Sequence, residues 1–130
     1  MLSHITIGTS NLDRAFAFYN QVLAPLNYVL KFHEPAQNWA GWILPDAERP
    51  LFIITGPADG GTPSPGNGTM TAFLAKDRAI VDSVHAAALA AGGQDEGTPG
   101  LRPHYHEHYY GAYFRDLDGN KLCGACHEAV

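Results

Sequence analysis

Apolar and polar positions alternate along Leu2–Gly8, with Ile5 and Ile7 on one side and His4 and Thr6 on the other. That is the period of a half-buried strand. A turn follows, then Asn11 as a helix N-cap with Asp13 in the first turn, where a carboxylate meets the positive end of the helix. Leu12, Ala15, Phe16, Tyr19, Val22 and Leu23 repeat at helical spacing until Pro25, which ends the helix. Three strand-like runs come next, at Asn27–His33, Trp39–Leu44 and Pro50–Thr55. The stretch GPADGGTPSPGNG at 56–68 then reads as loop.

The pattern restarts after it. Thr69–Ala75 reads as a strand, Asp77 as an N-cap, and Ala79–Ala91 as an alanine-rich helix stopped by Gly92 and Gly93. Its buried stripe is expected to be Val81, Val84, His85, Ala88 and Leu89. A short segment near Thr98–Arg102 precedes a hairpin, Tyr109–Arg115 and Lys121–Cys126, joined at Asp116-Leu117-Asp118-Gly119. The chain is therefore expected to fold as one domain over 1–130, built of two strand–helix–strand–strand–strand modules at about 1–56 and 68–127, with 57–67 as linker. His4 and Met70 each stand seven residues before their N-cap and face away from the helices.

Charge and composition narrow the partners. With 8 Lys and Arg against 13 Asp and Glu, the net charge is −5, which offers no basic footprint for a nucleic-acid backbone, so nucleic acid is not expected as a partner. No run approaches the roughly 18 apolar residues of a membrane span. No basic, apolar leader opens the chain, and a cytoplasmic location with reduced thiols is expected. The two cysteines exclude a disulfide framework.

Three segments carry a family resemblance. LSHITIGTSNLDRAFAFYNQVLAPLNY, GNGTMTAFLA and PGLRPHYHEHYYGAYFRDLDGNKLCGACH resemble the first strand and helix, the second-module strand and the closing hairpin of the vicinal oxygen chelate superfamily. This is the superfamily of glyoxalases, bleomycin-resistance proteins and extradiol dioxygenases. The most specific part is the Tyr-Tyr-x-x-Tyr-Phe-x-Asp-x-Asp-Gly-Asn run ending at Asn120. The resemblance implies an α+β fold of two βαβββ modules. Their curled mixed sheets form an open barrel-like cavity, with the helices packed outside. It also implies a homodimer, with modules paired within one chain or across two.

Active members bind a divalent metal through the first strand of each module and the last strand. Carried onto this chain, those positions are His4, Met70 and Cys123. Only His4 keeps the usual residue type. A thioether is a poor ligand for Zn, Ni, Mn or Fe beside oxygen donors, so the site reads as degenerate. The expectation is a protein acting on, or binding, a small molecule in the sheet cavity, as a lyase, isomerase or dioxygenase if active. The alternative is a metal-free binding or resistance protein of the bleomycin-binding type, with no metal in the standard site.

Other chemistry weighs less. His104, His106 and His108 would share one face of a strand, but Pro103 ahead of them favours a loop at the cavity mouth. Cys123-Gly-Ala-Cys126-His127 spells a haem-attachment pattern, yet residues three apart on a strand point to opposite faces, so no haem is expected. Alternation along the hairpin sends Ala112 and Phe114 to the helices and Tyr109, Tyr113 and Arg115 to the cavity. With Phe52, His104, Tyr105 and His106 these make the expected ligand-binding set, an aromatic lining with polar tips.

Overall fold

In the computed structural model, which describes all 130 residues, the first module runs β1 (His4–Gly8), α1 (Leu12–Leu23), β2 (Val29–Glu34), β3 (Trp39–Ile43) and β4 (Leu51–Thr55). The second runs β5 (Thr71–Leu74), α2 (Arg78–Ala90), β6 (Gln94–Leu101), β7 (Tyr110–Arg115) and β8 (Lys121–Cys126). Each helix begins where a side chain satisfies its free amide. Asn11 accepts from the Arg14 N–H and Asp77 from the Ile80 N–H. A single 3-10 turn containing Pro25 closes α1.

Each module makes a four-stranded mixed sheet, ordered β1-β4-β3-β2 and β5-β8-β7-β6. The first strand lies parallel to the last strand of its own module, and the other pairs are antiparallel. The two sheets are curled and do not close into a barrel. The matching order confirms the repeat read from the sequence.

One core joins the modules. Ala40, Trp42, Phe52 and Ile54 of the first sheet and Phe73, Ala112, Phe114 and Leu122 of the second meet both helices in a single buried cluster. Burying the larger of these side chains contributes roughly 1.5–3 kcal/mol each before entropy is counted. Phe18 joins this core where the spacing placed Phe16. Phe16 stays at its margin, stacked on His33 with ring centroids 3.8 Å apart. The opposite face of each sheet bears a small separate cluster. These are Ile43, Leu51 and Ile53 in the first sheet, and Tyr113, Cys123 and Ala125 in the second.

β6 extends beyond the short segment expected near 98–102 and carries two register irregularities. It is an edge strand, paired only with β7, which is where a sheet tolerates Gly97, Pro99 and Gly100.

Candidate functional site

The helix-free faces carry the residues that the sequence marked. His4 opens β1 and is exposed, with its Nδ1 2.9 Å from Ser3 Oγ. Met70 is 45% exposed. It lies in a cleft between the first strands of the two modules, which Thr6 and Ile7 line from one side and Thr71 and Lys121 from the other.

Cys123 differs from both. Its residue is 0% exposed and sits in register between Ala72 of β5 and Tyr113 of β7. The Tyr109 hydroxyl lies 3.7 Å from its sulfur and 3.1 Å from the Tyr113 hydroxyl. Burial pushes the Cys123 thiol up, and it pushes up both phenols as well. At neutral pH the three groups are protonated and joined by hydrogen bonds through the Tyr109 hydroxyl.

That state decides how well the residues suit a metal. The thiolate, not the thiol, is the ligand, and a thioether adds little beside oxygen donors. No three His, Cys, Asp or Glu side chains of the chain come together as a metal-holding group. The donor set at the family positions does not fit a hard divalent ion.

The remaining candidates divide. Tyr105 packs on Tyr109 with centroids 4.8 Å apart, and His104 on Tyr105 at 4.3 Å. These rings extend the aromatic surface of Tyr109 and Tyr113. His104, His106 and His108 lie in turns after β6, so they share no strand face. His106 turns to the end of β8, its Nε2 2.8 Å from Nδ1 of His127, while its Nδ1 accepts the His108 N–H at 3.1 Å. Arg115 donates to Glu96 Oε1 at 2.9 Å and to the Gly119 carbonyl at 3.1 Å, which ties the β7–β8 turn to β6. Phe52 occupies the opposite face of its sheet, 2% exposed in the shared core. Cys123 and Cys126 point to opposite faces, as alternation requires. Cys126 belongs to the shared core and donates toward the Lys76 carbonyl at 3.7 Å.

Two functional candidates escaped the sequence reading. The Arg102 guanidinium lies 5.5 Å, and the Lys121 ammonium 5.6 Å, from the centroid of the Tyr113 ring. Both line a pocket of about 220 Å³ together with His104, Tyr105 and Glu96. Lys121 could have been found by alternation, standing two residues before Cys123 on β8. Arg102 had no local signal, because its reach depends on the irregular path of β6.

A helix-backed pair of curled sheets with chemistry on the open faces defines a class, and comparison with known proteins agrees. The model of the Glyoxalase/Bleomycin resistance protein/Dioxygenase superfamily matches residues 1–123. The chain belongs to that superfamily. It is 32% identical to a glyoxalase/bleomycin resistance protein from Albidiferax ferrireducens T118, covering 97% of this chain and 98% of that one, with a TM-score of 0.87. A glyoxalase/bleomycin resistance protein/dioxygenase family enzyme from Burkholderia phytofirmans PsJN shares the fold at 20% identity and TM-score 0.73, over 97% and 98% of the two chains. A glyoxalase-related enzyme from Fulvimarina pelagi shares it at 17% and 0.74, over 97% and 87%. No curated protein matches the chain. No helix is long and apolar enough to cross a membrane.

Proposed function

We propose that this chain is a metal-free small-molecule-binding member of its superfamily, holding a planar ligand against the aromatic open face of the second sheet. The observation that carries this reading is Cys123. It stands where relatives of the superfamily place a carboxylate ligand, yet it is fully buried beneath Tyr109 and its thiol is held protonated. Met70 supplies no compensating donor. The rings of Tyr105, Tyr109 and Tyr113 offer stacking area, and the phenols of Tyr109 and Tyr113 give polar tips that stay un-ionised.

A second copy of the chain is the proposed partner. The apolar clusters on the two open faces are separate within one chain, so a cavity walled by both sheets calls for the open face of another subunit. Light scattering after size exclusion reads this directly, and a monomer at micromolar concentration would remove that part of the proposal.

Metal analysis tests the main reading. The purified protein is dialysed against Zn, Ni, Mn or Fe(II) salts, stripped of loosely held ion, and assayed for metal per chain and for Tm. The expected result is substoichiometric metal and an unchanged Tm. One equivalent of metal that disappears in His4→Ala would overturn the reading and restore the metal-dependent lyase or dioxygenase alternative.

A further inference from the structure

We propose that Arg102 and Lys121 form an anion-receiving clamp over Tyr113, so that the ligand carries a carboxylate or phosphate on a flat body. The inference deepens the binding reading above and rests on it.

Three observations place the clamp. First, two cations approach one ring, Arg102 at 5.5 Å and Lys121 at 5.6 Å from its centroid. Each is attracted by the ring quadrupole. Second, neither cation has a carboxylate partner. The one carboxylate lining the pocket, Glu96, is already bound by Arg115 at 2.9 Å. Three cations therefore stand against one acid in a chain whose net charge is −5. Third, β6 is shaped to admit the guanidinium. A Cβ on Gly97 would stand 2.9 Å from Tyr113 Cδ2 and 3.3 Å from Arg102 Nη2, and one on Gly100 would stand 3.1 Å from Arg102 Nη1. Glycine inside a strand weakens it and marks a close approach.

A purely structural role accounts for only part of this. Arg102 Nη2 donates to the Thr98 carbonyl at 2.8 Å, which steadies the irregular strand. A guanidinium has five N–H groups in a planar fork, and most remain free for an oxyanion. Lys121 makes no side-chain hydrogen bond to the protein at all, so no fold-building contact explains where its ammonium stands. An anionic group seated between them would be within reach of both cations, while its flat body would lie toward Tyr105 and Tyr109.

The test compares probes of one shape and different charge: benzoate, phenyl phosphate, benzamide and benzamidine, titrated against the full chain by ligand-observed NMR. The expected result is that benzoate or phenyl phosphate binds at least about tenfold more tightly than benzamide, and benzamidine no better than benzamide. The anion preference should shrink as salt is raised. The order of benzoate and phenyl phosphate says which oxyanion the clamp prefers. Lys121→Gln, which breaks no hydrogen bond, should remove most of the preference, Lys121→Arg should keep it, and Arg49→Gln, an exposed cation elsewhere, should leave it untouched. Arg102→Gln should act like Lys121→Gln, with circular dichroism to show that β6 survives. Equal binding of benzoate and benzamide, or preference for benzamidine, would overturn the clamp and leave the binding face standing. Failure of all four probes to bind would overturn both.

Discussion

The Tyr19 hydroxyl, on the helix of the first module, donates to Asp116 Oδ2 in the last turn of the second at 2.5 Å. Asp116 Oδ1 accepts the N–H groups of Asp118 and Asn120 at 2.9 Å, and Asn120 Nδ2 donates both to Asp116 Oδ2 and to the Gly8 carbonyl. Ser10 donates to Asp118 through its backbone N–H and its hydroxyl. The Asp-x-Asp-Gly-Asn run, the most specific part of the family resemblance, is therefore a joint between modules.

Tyr19→Phe isolates that joint. It removes one donor from a buried carboxylate and leaves the ring packed against Phe18 and Phe52. A hydrogen bond to a charged acceptor contributes about 1.5–3 kcal/mol, and a loss of that size is expected in urea unfolding. The urea dependence should keep its slope, since the surface exposed on unfolding is unchanged. A loss well under 0.5 kcal/mol would show that the joint does not depend on this bond.

Gly93→Ala should be more damaging than an ordinary surface change. The added Cβ would stand 2.8 Å from two backbone oxygens, those of Ala88 and Arg115, and neither can move away as a side-chain tip could. Overpacking of this kind costs typically 1–3 kcal/mol. Gly92, at φ +99°, supplies the left-handed turn that stops α2, so the pair does two different jobs. Thermal denaturation of the two alanine variants should show both below the parent protein in Tm.

Local signals made much of the fold legible. Asn11 and Asp77 cap the helices they were expected to cap, and β8 covers Lys121–Cys126 as read. Alternation correctly sorted Ala112 and Phe114 from Tyr113, and Cys123 from Cys126. Phe52 was harder to place, because Leu51–Ile54 is apolar throughout and an unbroken apolar run carries no face information. β6 was legible only near its end, since Gly97, Pro99 and Gly100 disfavour a strand and edge pairing with β7 overrides that preference. The turn of His106 toward His127 spans 21 residues, and no local pattern encodes it.

Acid should act partly through Asp95. Its carboxyl is held below the ordinary 3.8 first by the Gly97 N–H and then by its bond to His85, which reaches it at 2.9 Å from α2. A depressed folded value means that the stabilisation is fully present above pH 3.8 and is lost as pH falls through the lower folded value. Asp95→Asn keeps an acceptor for Gly97 but has no proton to bind. Tm measured from about pH 5 down to about pH 2.5 should fall less steeply in the variant than in the parent. Parallel curves would assign the acid sensitivity to other carboxylates.

The two thiols test the closed cap on the open face. Cys123 is shut in by Tyr109 and Tyr113 and its thiol is pushed up by burial, while Cys126 is buried among the helices on the other side of β8. A thiol reacts as its thiolate and only where a reagent can reach it. A disulfide-exchange reagent at mildly alkaline pH should therefore label neither cysteine of the folded chain, and both after urea unfolding. Tyr109→Ala removes the cap from one of them alone. The variant should react at one thiol per chain, and peptide mapping should locate the label on Cys123. Rapid labelling of Cys123 in the parent protein would show the cap open in solution, and with it a sulfur free to ionise and take a metal.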